Sequence, residues 1–388
     1  MNVYSESLIR KIQSILDEAV ANEEVPCYSV LVHSPKGDQY WESGFQNIEK
    51  GISLSRNTIF RIFSCTKIFT SFCALLAVEE GKLDLSIPVK ESIPTFSDLK
   101  VEDHGVIRPA KRDMLVSDLL AMRSGLAYPD SSILTGKRCG ELLEECEVRL
   151  DTSNPMTGLE FASEIGKVPL CNDPGAEFRY SISADILGVV LEVIYHDSLD
   201  RIMQRLLFDP LGLADTGFVV PKSKQGRIAQ GYRKTKEGPL APIGSALGVR
   251  ADGGPTSFYS GGAGLYSTID DMMRFALWLL HKGEGFLPSE HFDCWVCAEH
   301  YEELGTIPWK ELPGYRYANL LRIKLEDKPA NRVVAKGEFG WDGALGTYLK
   351  VDPANGICYV MATQREGYGT GALTRALRQE LAKEEDKR

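Results

Sequence analysis

The sequence has no long run of apolar residues and no excess of positive charge. No stretch of its 388 residues reaches the roughly 18 consecutive apolar side chains that a membrane-spanning helix needs. Lysine and arginine number 44 against 54 aspartate and glutamate, so at a net charge of −10 the average surface repels phosphate and anionic lipid. The sequence therefore predicts neither a membrane nor a nucleic acid as a partner.

Internal repeats and low-complexity segments are also lacking. With 43% hydrophobic and 25% charged residues, the composition is typical of a globular protein and excludes wholesale disorder, collagen and coiled coil. The first 20 residues carry charges throughout and repeat apolar residues at helical spacing, so they predict an amphipathic helix rather than a signal peptide. The nine cysteines are odd in number and scattered, which is typical of reduced thiols. We therefore predict a cytoplasmic protein.

One group of histidines and cysteines could bind zinc. His291, Cys294, Cys297 and His300 recur at every third residue, and in a loop they could converge on one ion. In a helix, steps of about 100° per residue would spread the four side chains over roughly half the circumference, too wide for one ion. We predict no metal site and no cofactor.

Strand signals cluster toward the two ends of the chain. Two pairs of them flank turn-rich segments, 27–33 with 39–45 and 346–351 with 357–363. Helical patterns lie between them, at 116–122, 183–195 and 198–208. A charged helix is predicted over 370–385. The sequence thus predicts an α+β fold, with a body formed by 1–85 together with 255–388 and a mainly helical insertion domain over 86–254.

A serine and a lysine stand at the start of an apolar helical pattern. Residues 65–78 are apolar almost all round and are followed by Gly81, as in a buried helix with a glycine C-cap. Ser64 could serve as the N-cap of this helix, the commonest use of serine at that place. A cap is usually supported by an acid three residues later, whereas here Lys67 opposes the positive end of the helix dipole. Burial there disfavours the ammonium, so the lysine could act as a base for the serine.

The segment Ser64-Cys-Thr-Lys67 resembles the nucleophile motif of the serine β-lactamase and penicillin-binding-protein superfamily. Further similar segments follow in the order of that superfamily: Asp118-Leu-Leu-Ala-Met-Arg-Ser-Gly125-Leu, Asp173-Pro-Gly-Ala-Glu-Phe-Arg-Tyr180-Ser, Pro210-Leu-Gly-Leu-Ala-Asp-Thr-Gly217-Phe, Ser260-Gly-Gly-Ala-Gly264-Leu-Tyr-Ser-Thr268 and Gly340-Trp-Asp-Gly343-Ala-Leu-Gly-Thr347. A second copy of the serine–lysine spacing, Ser97 to Lys100, has no buried helix around it and is treated as chance. The resemblance covers about residues 10–380 and is closest to the class C β-lactamase-like branch, which includes family VIII carboxylesterases.

The resemblance implies a β-lactamase-like fold, an antiparallel sheet flanked by helices, with the active site between body and insertion domain. It implies that Ser64 is the nucleophile, and that Tyr180, coupled to Lys67, takes the serine's proton and passes it to the leaving group. That role needs a lowered phenol pKa beside a cation. The backbone N–H groups of Ser64 and Ala344 would form the oxyanion hole. Ile182 stands where most β-lactamases have an asparagine, which removes a polar contact to an amide.

A third segment, Trp341-Asp342-Gly343, stands where β-lactamases carry Lys-Thr-Gly, and the resemblance implies that it binds substrate. The lysine of that motif pairs with the carboxylate of penicillins, so a strand edge with no cation and one acid predicts a preference for neutral esters. Gly343 would let the substrate approach the strand. The structural alternative for Trp341 is a core aromatic, and strand alternation should turn Asp342 away from the side that Trp341 faces.

The resemblance implies a serine hydrolase that forms an acyl-Ser64 intermediate from small carboxylic esters, with acyl transfer to another acceptor as a variation. One alternative is a hydrolase of amides or D-amino-acid peptides with weak β-lactamase activity. An alternative of another class is a non-catalytic binding protein on the same fold, which the altered Tyr180-Ser-Ile182 segment permits. The predicted partner is a small-molecule ester or amide.

Overall fold

The fold was analysed on a computed structural model, which describes residues 3–235, 238–297, 314–325 and 334–385. Its helices are, in chain order, α1 (Glu6–Ala21), α2 (Thr66–Glu79), α3 (Val116–Leu120), α4 (Leu134–Arg149), α5 (Gly158–Ile165), α6 (Ser183–Tyr195), α7 (Leu199–Met203), α8 (Asp209–Leu211), α9 (Ile269–Leu280), α10 (Ser289–Val296) and α11 (Ala372–Glu385). Its strands are β1 (Cys27–Ser34), β2 (Gly37–Asn47), β3 (Ile52–Ser53), β4 (Phe60–Arg61), β5 (Lys100–Asp103), β6 (Val106–Pro109), β7 (Gly231–Lys234), β8 (Leu240–Ile243), β9 (Tyr266–Ser267), β10 (Tyr315–Ala318), β11 (Leu321–Lys324), β12 (Phe339–Asp342), β13 (Tyr348–Asp352) and β14 (Ile357–Ala362).

An antiparallel sheet of eight strands unites the two ends of the chain. Its order is β10-β11-β12-β13-β14-β1-β2-β3, so β1 pairs with β14, with Ser29 opposite Ala362. The two predicted hairpins are confirmed as β1–β2 and β13–β14. The predicted α+β fold, an antiparallel sheet flanked by helices, is confirmed as well.

Helices cover both faces of this sheet. Strand β14 is buried along its whole length, and its alternate side chains enter two different cores. Cys358 and Val360 belong to the core that contains α2 and α9, whereas Tyr359 and Met361 belong to the core formed with α1 and α11. The sheet is therefore the middle layer of three, and α2 lies on one face of it.

Helix α2 is the buried helix that the apolar pattern predicts. All its residues from Thr66 to Ala77 are buried, and the chain leaves it through Gly81 with a φ of 68°. A short 3₁₀ turn over Phe63–Cys65 precedes it, and no side chain caps the start of either element. The N-cap alternative for Ser64 is therefore wrong.

The middle of the chain holds both predicted helices and unpredicted strands. The patterns at 116–122 and 183–195 form α3 and α6, and the pattern at 198–208 forms α7 followed by one π-helical turn. Strands β5 and β6 were not predicted. Their turn places His104 and Gly105 at φ values of 50° and 83°, so it is a tight hairpin turn without the usual Asn-Gly or Asp-Gly signal. The division into body and insertion domain stays a prediction.

Candidate active site

Lys67 connects three elements at the start of α2. Its Nζ donates hydrogen bonds to Ser64 Oγ at 3.2 Å, to Tyr128 Oη at 2.8 Å and to the carbonyl oxygen of Gly262 at 2.8 Å. The side chain is fully buried, whereas Ser64 is half-buried. The predicted serine and lysine are therefore in contact, and the lysine is shielded from water.

Burial makes Lys67 a base near neutral pH. Loss of hydration lowers its pKa to about 8, although the nearby negative charge of Asp185 opposes this effect. At pH 8 a large share of Lys67 is thus uncharged and able to accept a proton. The lowered pKa expected from the sequence is confirmed in direction.

Tyr180 also reaches Ser64, but its ionisation differs from the expectation. Its hydroxyl forms hydrogen bonds with Ser64 and with Trp341 Nε1, the latter at 3.0 Å, and the Lys67 ammonium lies 4.8 Å from the centre of its ring. Burial outweighs both hydrogen bonds and raises the pKa of Tyr180 well above its ordinary value. The expectation of a lowered phenol pKa is wrong, because loss of hydration is the largest effect on this buried hydroxyl. Tyr180 is a neutral phenol at physiological pH.

Tyr128 is a site residue that sequence reasoning missed. It follows the segment ending at Gly125 and Leu126, and its hydroxyl accepts a hydrogen bond from Lys67. Its ring centre lies 5.5 Å from that of Tyr180, so two phenols enclose the lysine. The only signal for it in the sequence is its place next to a matched segment.

Replacing Tyr128 by phenylalanine tests this contact. Hydrogen bonds to charged groups contribute about 1.5–3 kcal/mol, so Tyr128→Phe should lower kcat/KM for p-nitrophenyl butyrate about 10- to 100-fold. Tyr195→Phe is the matched control, because it removes a hydroxyl that bonds to Glu80. If Tyr128→Phe has the same kcat/KM as this control and the wild type, the hydrogen bond between Lys67 and Tyr128 does not contribute to catalysis.

Trp341 lies in the wall of the site and holds Tyr180. It is 4% exposed, and its ring centre lies 5.4 Å from that of Tyr180 and 5.0 Å from that of Tyr317. Its indole N–H donates to the Tyr180 hydroxyl. The core alternative and the functional one are therefore compatible, since Trp341 is buried and contacts a candidate catalytic residue.

The expectation of a strand edge without a cation is wrong. Strand β12 pairs with β11 on one side and β13 on the other, and a buried arginine and a buried lysine approach the Trp341 ring from these neighbours. Arg322 Cζ lies 5.2 Å and Lys350 Nζ 6.0 Å from its ring centre. Arg322 is a cation that forms an ion pair with Asp342 at 3.0 Å, whereas burial lowers the pKa of Lys350 well below its ordinary value. Neither side chain is exposed to a substrate carboxylate.

Gly343 and Ala344 lie in the turn after β12, beside the start of α2. A Cβ at Gly343 would lie 2.4 Å from the carbonyl oxygen of Ile62 and 2.2 Å from Thr347 Oγ1. Thr347 Oγ1 itself donates to that Ile62 oxygen at 2.7 Å. Gly343 thus allows the turn to pack two residues before Ser64. Protein atoms fill the position that a Cβ would occupy at Gly343. That Gly343 lets a substrate approach the strand stays a prediction.

This geometry agrees with the comparison with protein families. A family model described as Beta-lactamase matches residues 12–383. The chain belongs to the Beta-lactamase family.

The chain is similar to proteins named as an esterase and as an acyltransferase. Esterase EstB of Burkholderia gladioli is 27% identical over 398 residues, covering 96% of this chain and 94% of that protein. Monacolin J acid methylbutanoyltransferase of Aspergillus terreus is 26% identical over 343 residues, covering 81% and 78%. The solved structure of EstCE1, described as a hydrolase with promiscuous acyltransferase activity, matches with a TM-score of 0.80 at 23% identity, covering 97% and 98%. This last likeness confirms the β-lactamase-like fold.

The residue that differs from the common β-lactamase motif, Ile182, lies at the start of α6. Ile182 is 1% exposed and stands directly before the helix, so it packs in the core. The segment Tyr180-Ser-Ile182 therefore presents the tyrosine to the site and its third residue to the interior. The polar contact that an asparagine makes is replaced by an apolar one.

Three of the four zinc candidates lie on or directly after α10. His291 lies on α10, where its Nδ1 contacts the two carboxylate oxygens of Glu79 at 2.8 and 2.9 Å. Cys294 lies on the same helix, Cys297 follows it, and His300 is outside the described residues. Within the described part of the chain, histidines, cysteines and acids form no group of three that could hold a metal. Nor is any helix in that part long and apolar enough to cross a membrane.

Proposed function

We propose that this protein is a serine carboxylesterase in which Ser64 is the nucleophile and Lys67 the general base. The observation that carries the proposal is the contact of a buried lysine, with a pKa near 8, with the hydroxyl of the serine that precedes it by three residues. A lysine kept neutral by burial is a recognised way to activate a nucleophile. A binding protein would have no need to bury an ammonium beside a half-buried hydroxyl, since burial of a charge is costly.

The proposed acylation begins with proton transfer from Ser64 Oγ to Lys67 Nζ as Oγ attacks the ester carbonyl carbon. When the tetrahedral intermediate collapses, the bond from carbon to the alcohol oxygen breaks and Lys67 returns the proton to that oxygen. The neutral Tyr180 hydroxyl, held by Trp341, orients Ser64 by its hydrogen bond. Water then repeats the sequence on the acyl-serine and releases the acid, and an alcohol in place of water gives acyl transfer.

The proposed oxyanion hole consists of the backbone N–H groups of Ser64 and Ala344. Ser64 belongs to the 3₁₀ turn before α2, where peptide dipoles favour negative charge. The peptide group that carries the Ala344 N–H is fixed from its other side, because the carbonyl oxygen of Gly343 accepts from the backbone N–H of Gly346 at 2.8 Å. Close packing at Gly343 keeps this turn near the serine.

Neutral esters are the substrate class that the site supports best. Trp341 occupies the place of a carboxylate-binding lysine, and the basic side chains beside it, Arg322 and Lys350, are buried. Ile182 offers no polar group for an amide side chain. The name of the relative EstB, an esterase, and that of the methylbutanoyltransferase support acyl chemistry on esters.

Side-by-side assays of p-nitrophenyl butyrate, its anilide counterpart and nitrocefin test the substrate class. We expect the ester to be hydrolysed with the highest kcat/KM, and a fluorophosphonate probe to label Ser64, as located by peptide mass spectrometry. Faster turnover of nitrocefin or the anilide would replace the esterase proposal by the amide-hydrolase alternative. Absence of labelling and of turnover with all three would favour the binding-protein alternative.

The pKa of Lys67 sets the pH dependence of the reaction. The base must be uncharged, so kcat/KM for p-nitrophenyl butyrate should fall on the acid side of about pH 8. Well below that midpoint it should fall tenfold per pH unit, to about 1% of the plateau near pH 6. Initial rates between pH 5.5 and 9.5 at constant ionic strength measure this. A profile flat down to pH 6 would mean that a group other than Lys67 is the base.

A further inference from the structure

The buried carboxylate of Asp185 lies near Lys67 and has no role in the steps above. Asp185 belongs to the first turn of α6 and is 5% exposed. Its Oδ1 accepts hydrogen bonds from Ser260 Oγ and, at 3.1 Å, from the backbone N–H of Gly262. A buried acid held in this way needs an explanation, because burial alone disfavours its charge.

The carboxylate is pressed against the Gly262 peptide. A Cβ at Gly262 would lie 2.6 Å from Asp185 Oδ2, so the acid occupies the space of the absent side chain. Gly261 is equally close to the helix, since its Cβ would lie 2.5 Å from the carbonyl oxygen of Ala184. The loop over 260–264 thus packs closely against the first turn of α6, because Gly261 and Gly262 have no side chains.

The carbonyl group of Gly262, which belongs to the next peptide along the chain, faces Lys67. The carbonyl oxygen of Gly262 accepts from Lys67 Nζ at 2.8 Å, and the neighbouring oxygen of Gly261 accepts from Thr70 Oγ1 at 2.6 Å. Asp185 and Lys67 therefore bind the two backbone groups of one residue, since the N–H of Gly262 donates to the acid and its carbonyl oxygen accepts from the lysine. The acid lies on one side of Gly262 and the lysine on the other.

We propose that Asp185 is a positioning residue, which fixes Gly262 by its backbone N–H and through the carbonyl oxygen of that residue holds Lys67 beside Ser64. The inference rests on the proposed function, because it assigns Asp185 a part in setting the general base. Asp185 does not touch the nucleophile. It acts by fixing an acceptor for Lys67 and by placing a negative charge on the far side of that acceptor.

The negative charge of Asp185 also raises the pKa of Lys67, which a contact that only holds the backbone would not do. The other titratable groups that face Lys67 are the phenols of Tyr128 and Tyr180 and the buried thiol of Cys65. The phenols and the thiol are neutral at physiological pH, since burial raises the pKa of each. Burial raises the pKa of Asp185 as well, but the positive charge of Lys67 and the hydrogen bonds from Ser260 and Gly262 oppose this effect. In its ionised form Asp185 counteracts the effect of burial on the pKa of Lys67. Removing its charge must lower that pKa further.

The variant Asp185→Asn keeps the shape of the side chain and an acceptor for Gly262 while removing the charge. We expect the acid-side midpoint of the kcat/KM profile to move down by about one pH unit, with a lower plateau because Lys67 is held less firmly. Asp185→Ser, smaller but still an acceptor, should move the midpoint in the same direction and replaces the asparagine variant if that one does not fold.

Asp271→Asn is the matched control. Asp271 is also a buried acid in the first turn of a helix, α9, and accepts from the backbone N–H of Asp215 at 2.7 Å and from Thr216 Oγ1 at 3.1 Å. It should lower the melting temperature without moving the midpoint. If Asp185→Asn loses activity with an unchanged midpoint, or moves it upward, Asp185 is a structural residue only and the proposal is wrong.

Fluorophosphonate labelling separates this failure from failure of the proposed function. Labelling of Ser64 in the wild-type protein together with an unmoved midpoint in the variants rejects the role of Asp185 alone. A wild-type protein that is not labelled and has no ester hydrolysis rejects the serine mechanism, and with it the basis of the inference.

Discussion

Replacing Ser64 by alanine should lower kcat for p-nitrophenyl butyrate by about 10⁴-fold or more and abolish fluorophosphonate labelling. No neighbouring group can take over the attack. Burial raises the pKa of the adjacent Cys65 thiol to about 12, and its Sγ contacts the carbonyl oxygen of Trp341 at 3.7 Å. The thiol is therefore both uncharged and directed into the protein, and the variant has no substitute nucleophile.

The fold should survive this substitution. Ser64 is half-buried and caps no helix, so its hydroxyl contributes at most the roughly 0.5–2 kcal/mol of a typical capping group to the free energy of unfolding. Ser97→Ala is a control within the same chain, since Ser97 is an exposed residue with the same spacing to Lys100. Circular dichroism and urea unfolding of both variants check the fold. Turnover retained by folded Ser64→Ala would contradict the serine mechanism.

The elements that sequence reasoning located correctly are those encoded by local patterns. Helix α6 begins and ends at the predicted residues, 183 and 195. A largely apolar stretch, interrupted by Asp185 and Glu192, follows Ser183, and the left-handed backbone of His196 ends the helix. The serine–lysine pair was found because one helical turn brings both side chains to the same face. Spacing along one helix is enough to predict such a contact.

The rest of the site depends on contacts between distant segments. Tyr128 and Gly262 meet Lys67 from loops 61 and 195 residues away in the chain. Arg322 and Lys350 approach Trp341 from neighbouring strands. The segment Trp341-Asp342-Gly343 alone does not predict which strands lie beside it. The error about Tyr180 has the same origin, because its pKa is decided by how deeply the folded chain buries it.

Lys67→Met should abolish catalysis to a similar degree as Ser64→Ala, and the two losses should not add. Methionine fills the space of the lysine stem but cannot accept the proton of Ser64, so we expect a loss in kcat of about 10³-fold or more. The double variant, with both Ser64→Ala and Lys67→Met, should be no slower than Ser64→Ala alone, because without the serine hydroxyl Lys67 has no proton to accept. Lys100→Met, at the exposed second copy of the spacing, should leave the rate unchanged.

Stability gives a second, independent readout of the same lysine. The pKa of Lys67 is about 8 in the folded protein against an ordinary value of 10.5, so between these two pH values the unfolded chain binds more protons than the folded one. The free energy of unfolding should therefore rise through this window by up to about 3 kcal/mol on account of Lys67, and below pH 8 that gain should be lost. Lys67→Met has no such proton to bind, so the difference in stability between wild type and variant should change from pH 7 to pH 10 in favour of the wild type. Urea unfolding of both proteins at several pH values measures this difference. A constant difference would mean that Lys67 titrates alike in the folded and unfolded chain, and then burial could not have made it the base.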